Sequence, residues 1–238
     1  MRSLIFGAAA LLAVAVPGMA AAQTGYVGVT YANVDPDNGD NTDAYGVEGA
    51  VAFSGSSQIS FEVDASYSDG SDVDSTWGVA GHVFTRNDQY LFGGFVAVSD
   101  NDAAGTTWEA GLEANKYFEQ WTLAGAIAYA NNDDNNADGW GVNVQGRYFP
   151  TDNVRLQANV GWLDADGDDA TVVGVGGEYQ FTAVPISIGA GYNHLDTDGP
   201  DANTWTLAVR YNFGGGTLRD RDRSGASQAD LIGFGFRV

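Results

Sequence analysis

From residue 24 to residue 213, apolar residues alternate with small or polar ones in segments of about ten, the length expected of a membrane-spanning β-strand. A period of two sends successive side chains to opposite faces of a strand. Strands are predicted near 25–33, 44–54, 57–67, 76–86, 89–99, 107–118, 120–130, 139–149, 153–163, 170–182, 185–195 and 203–213. In the third segment Ile59, Phe61, Val63, Ala65 and Tyr67 share one face, and Ser60, Glu62, Asp64 and Ser66 share the other. The eighth places Trp140, Val142, Val144, Gly146 and Tyr148 opposite Gly141, Asn143, Gln145 and Arg147, and the twelfth places Trp205, Leu207, Val209, Tyr211 and Phe213 opposite Thr206, Ala208, Arg210 and Asn212.

The segments between strands alternate in character. Asp-rich stretches at 33–43, 68–75, 99–106, 131–138, 164–169 and 196–203 follow the odd strands, and brief turns at 54–56, 86–88, 119–120, 150–152 and 183–184 follow the even ones. Long loops at one end and short turns at the other predict an all-β fold, a transmembrane antiparallel up-and-down β-barrel of about 12 strands. On that reading the acidic loops are extracellular and the turns periplasmic. A soluble sandwich also alternates, but it buries its tryptophans in mid-strand. Here Trp77, Trp108, Trp140, Trp162 and Trp205, with Tyr31, Tyr45, Tyr67, Tyr129 and Tyr192, stand at the acidic ends of strands. Phe53, Trp121, Tyr148, Phe181 and Phe213 stand at the opposite ends. Two aromatic belts suit rings lying at headgroup level on either side of a bilayer.

Composition narrows the context. Arg2, the apolar run from Leu4 to Val16 and the small residues Ala20 to Ala22 read as a secretory signal peptide over residues 1–22. No later apolar run reaches the length of a transmembrane helix. Without cysteine, neither a disulfide framework nor a thiolate metal site is available. The formal charge of −21 argues against nucleic acid as a partner.

Signal peptide, dyad repeat and aromatic belts together resemble the Gram-negative outer-membrane β-barrel, porin-like proteins over residues 24–213. Tyr211-x-Phe213 is similar to the terminal insertion signal of that class. The resemblance implies residence in the cell outer membrane, with lipid and lipopolysaccharide as surroundings and small solutes or ions as cargo. It implies a passive channel, with a closed structural or surface-interaction barrel as the alternative. The chain departs from the class by continuing past Phe213, so residues 23–213 are assigned to the barrel and 214–238 to a periplasmic tail.

Charged residues on the inward parity are the candidate lumen lining: Glu48, Glu62, Asp64, Glu109, Glu113, Arg147, Arg155, Glu178 and Arg210. Charged rings in a lumen can select ions. Counting the register from turn centres predicts Arg147 opposite Arg155, and Arg155 opposite Glu178, two arginines sharing one carboxylate. Nineteen of the 31 acidic residues are aspartates in the six loops, which hold no Lys or Arg. The plain reading of these loops is a hydrated anionic surface. A sharper one is divalent-cation binding, Ca2+ above all, by Asp35, Asp37 and Asp40 and by Asp164, Asp166 and Asp168, since clustered carboxylates with a turn glycine supply oxygen ligands. No resident cofactor is expected in the barrel. Nor is catalysis, because His194 and His82 have no nucleophile at a plausible spacing.

Overall fold

The computed structural model describes residues 23–54, 59–71, 74–134, 136–165 and 168–226, the side chains of Gln23 and Asp168 excepted. The predicted signal peptide and residues 227–238 lie outside them.

All twelve predicted strands form. They are β1 (Gln23–Pro36), β2 (Thr42–Ser54), β3 (Ile59–Gly70), β4 (Thr76–Arg86), β5 (Tyr90–Asn101), β6 (Gly105–Tyr117), β7 (Trp121–Asn132), β8 (Ala137–Thr151), β9 (Val154–Ala165), β10 (Asp168–Gln180), β11 (Ile186–Thr197) and β12 (Ala202–Phe213). Each pairs antiparallel with its neighbours in sequence, and β12 returns to β1 with a register running from Gly25 opposite Phe213 to Pro36 opposite Ala202. Closure follows from the solvent. In hydrocarbon an unpaired backbone group costs several kcal/mol, so a spanning sheet cannot leave an edge.

The outer wall is apolar around its whole circumference. Leu112 is 67 % exposed and Val96 63 %, and Val29, Val160, Val175, Leu207 and Val209 are exposed with them. An apolar surface this extensive is untenable in water. Aromatic rings cap both ends of the wall, as in the Tyr192–Trp205 pair (4.8 Å) at the loop end and the Trp121–Tyr148 pair (4.4 Å) at the turn end. The girdle and its two belts make this a membrane barrel.

Two expectations need correction. The loops after odd strands are two to five residues long, the same range as the turns, because β1 continues to Pro36, β2 begins at Thr42, and β9 and β10 extend to Ala165 and from Asp168. Polar residues beyond the bilayer can still ladder through their backbones, so the hairpins grow outward and the aspartates ride on strand ends. The register of β8 against β9 also differs. Tyr148 faces Leu156 and Thr151 faces Val154, so Phe149 and Pro150 together oppose Arg155 alone. Pro150 has no N–H to give the ladder, and such residues favour bulges. The hairpin turns at Asp152-Asn153 rather than at 151, which shifts the pairing by three residues, and the bulge takes one back, so that Arg147 faces Gln157 and Gln145 faces Asn159. On β10 the predicted pairs hold: Arg155 with Glu178, Val160 with Val173 and Trp162 with Thr171.

Candidate functional site in the barrel lumen

Inward side chains are small towards the loop end, where Gly78, Ala80, Ala97, Gly111, Ala126, Ala128 and Gly174 line the wall. Of the nine predicted lumen residues, Glu48, Glu62, Asp64, Glu113, Arg147, Glu178 and Arg210 are buried inside the barrel, and Glu109 and Arg155 are half-buried. Eight of them fall into two groups and a lone pair.

The first group spans β9 to β2. Glu178 takes Arg155 at 2.8 Å and Arg210 at 3.3 Å, and accepts a hydrogen bond from the Ser187 hydroxyl. Arg210 also donates from Nε to Glu48 at 2.7 Å. That contact must cross β1, since Arg210 is on β12 and Glu48 on β2, with Gly28 in register between them. A Cβ at Gly28 would lie 2.8 Å from Arg210 Cγ, so glycine is what lets the guanidinium lie over the middle strand. Two arginines do share one carboxylate, but they are Arg155 and Arg210, not Arg155 and Arg147.

The second group spans β3 to β6. His82, which sequence reasoning placed in the lumen without a role, lies between carboxylates, with Nε2 2.8 Å from Asp64 and Nδ1 3.2 Å from Glu113. The reach from β4 to β6 again passes over a glycine, Gly93, whose Cβ would lie 2.9 Å from Glu113 Oε1. Phe95 stacks on the imidazole at 5.5 Å and fixes its plane. Buried Glu62 stands in register with His82 on the neighbouring strand.

The lone pair joins the wall to the end of the chain. Arg147 meets Asp222 at 2.6 Å, with both side chains almost fully buried. After Phe213 three glycines with positive φ (85°, 81° and 85°) turn the chain back towards the lumen. Thr217 then caps a short helix, α1 (Leu218–Ser224), its hydroxyl accepting from Asp220 N while the Asp220 carboxylate accepts from Thr217 N. That backbone N–H is the main reason the Asp220 carboxyl titrates below its ordinary value.

The segment crosses the turn end of the barrel. Gln180 on β10 donates to Gly216 O, and Arg219 pairs with Asp152 in the β8–β9 turn. Thr122 on β7 donates to Asp222, Arg223 donates to the carbonyls of Phe118 and Glu119, and Arg86 at the end of β4 donates twice to Gly225 O at 3.1 Å. Ala226 packs on Ala50 and Ala52 of β2. Residues 216–226 therefore touch the wall from β10 round to β2. The sequence signal for this element was the capping-box spacing from Thr217 to Asp220.

At the loop end the acids accept from neutral donors. Asp43 takes the Tyr31 hydroxyl at 2.8 Å and Asn33 at 2.9 Å, and Asp138 takes the Tyr129 hydroxyl at 2.7 Å. Asp35, Asp37 and Asp40 are exposed, and Asp164 is half-buried. Asp166 and the side chain of Asp168 lie outside the described residues. Among the described residues, the group of three metal-type ligands that does converge is a different one, His194, Asp196 and Asp201, with ligand atoms within 4.8 Å. Its imidazole suits a transition-metal ion better than Ca2+, which takes six to eight oxygens.

No family model and no curated protein matches the sequence. Solved structures do match in fold. The NanC porin superposes with a TM-score of 0.62 at 11 % identity, covering 79 % of this chain and 100 % of that one. The COG4313 outer membrane channel from Pseudomonas putida F1 gives 0.58 at 14 %, covering 81 % and 96 %. The KdgM porin in complex with disordered oligogalacturonate gives 0.56 at 8 %, covering 78 % and 99 %. The fold is that of the outer-membrane porins and channels.

Proposed function

We propose that the protein is a non-enzymatic, porin-like passive channel of the outer membrane for ions and small solutes, with its aspartate-rich end outside and a preference for cations. What supports this reading is the likeness in fold to solved outer-membrane porins and channels, together with an inner wall of small residues towards the loop end. The acidic strand ends supply the anionic mouth, since a rim of one sign concentrates the opposite ion. The arginines at the turn end oppose that preference, so the selectivity expected is moderate. In planar bilayers under a salt gradient the protein should give unitary steps with a cation-selective reversal potential. Replacing Arg147 and Arg155 together by Ala should raise conductance and move the reversal potential further towards cations. Anion selectivity in the unaltered protein would overturn the assignment of the mouth.

One observation favours a second reading: the C-terminal segment lies across the turn end. On that reading the barrel is a closed structural or surface element, and its acidic loops hold Ca2+ and neighbouring lipopolysaccharide. Swelling of proteoliposomes in small sugars separates the two, because a closed barrel leaves the vesicles unchanged.

A further inference from the structure

The C-terminal segment raises a question that the channel reading leaves open, because a passive pore has no use for a peptide across its bore. We propose that residues 214–226 are a removable plug, seated at the turn end of the lumen by the Arg147–Asp222 ion pair and swung out on Gly214–Gly216 to open the channel. This rests on the channel reading above.

Five observations carry it. The wall is complete without the segment, since β12 pairs with β1 up to Phe213 and every strand has two neighbours. Withdrawal therefore exposes no sheet edge to lipid. The contacts that seat the segment are mostly polar: ion pairs from Asp222 and Arg219, and hydrogen bonds through Arg86, Gln180 and Arg223. Apolar burial is confined to Leu218 and Ala226. Water entering the lumen can replace polar contacts of this kind far more readily than it can replace a hydrophobic core.

The acids left behind keep their cations, and Arg147, which loses its carboxylate, keeps a neutral acceptor. Glu178 keeps Arg155 and Arg210, Glu48 keeps Arg210, and Arg147 keeps a hydrogen bond from its Nε to Gln145. Finally, α1 is seven residues long, well below the length at which a helix holds together alone in water. Its order depends on its seat, so release amounts to a change from ordered to disordered segment. The three glycines with positive φ give the chain a hinge at the point where it leaves the wall.

The test is the single-channel behaviour of the full-length protein beside three variants. Asp222→Asn removes the ion pair at constant shape and should raise the open probability about tenfold or more, the scale of one charge-assisted hydrogen bond. A chain ending at Phe213 should be open throughout. The native sequence has no cysteine, so Ala50→Cys with Ala226→Cys gives one possible disulfide. When oxidised it should hold the channel shut, and reduction should restore the openings. If the full-length protein matches the truncated one and the disulfide changes nothing, the plug is overturned while the channel stands. If the truncated barrel inserts and resists heat in detergent but never conducts, the channel reading falls and the gate falls with it.

Discussion

The two ends of this barrel carry acids under opposite conditions. At the loop end Asp43 and Asp138 accept from tyrosine and asparagine, remain at least partly in water, and have no arginine near them. At the turn end Glu48, Glu178 and Asp222 are buried, and each meets an arginine. An acid at a wet rim keeps its charge through hydration, so it can be numerous and serve as a field. An acid inside a narrow barrel has lost water and needs a cation at hydrogen-bond distance. The same residue type thus sets the potential at one end and fixes the packing at the other.

The largest effect expected from this contrast is at Glu178. Glu178→Leu leaves Arg155 facing an apolar neighbour and Arg210 with half its partners, and breaking a buried pair in this way costs about 3–5 kcal/mol. Thermal unfolding of the detergent-solubilised barrel should fall accordingly. A change as small as that of a surface substitution would mean that water fills the turn end and that burial there is not dry.

Asp43→Ala, the loop-end counterpart, removes two hydrogen bonds from neutral donors that water can satisfy, so the loss should be about 1 kcal/mol or less. The same melting experiment checks it. A loss matching that of Glu178→Leu would erase the distinction between the two ends.

The smallest effect concerns pH. The Asp220 carboxyl is held below its ordinary 3.8 by the Thr217 N–H, a contact of the folded cap. The stabilisation it gives α1 is therefore complete above the ordinary value and is lost as pH falls through the lower, folded one. Because Asp220 is largely exposed, the contribution is small. Open probability should rise modestly on acidification below about pH 4, the range where an ordinary Asp begins to titrate. That increment should be missing in Asp220→Asn, which isolates it from the titration of the other carboxylates.

Strand number, the lipid-facing side and the inward charges were legible in the amino-acid order, because the dyad repeat is local and lipid permits one resolution of it, a closed sheet with apolar residues outward. Arg155 opposite Glu178 was legible for the same reason, since the 166–167 connection makes register a matter of counting. Arg147 was not. Its partner stands 75 positions away in the chain, and a turn at Asp152-Asn153 followed by a bulge at Phe149 and Pro150 puts it on a register other than the one turn counting predicts. Loop length also escaped, because composition marks where water begins and not where a ladder stops.

What the sequence by itself determined is the barrel: a period of two, apolar on one parity, restarted twelve times, with aromatic rings at both ends. What the tertiary structure alone decided is which charges meet inside it and where the chain goes after Phe213. Those pairings cross the bore or pass over a middle strand at Gly28 and Gly93. Their geometry depends on closure, which sets far-separated residues face to face in a space that no local pattern describes.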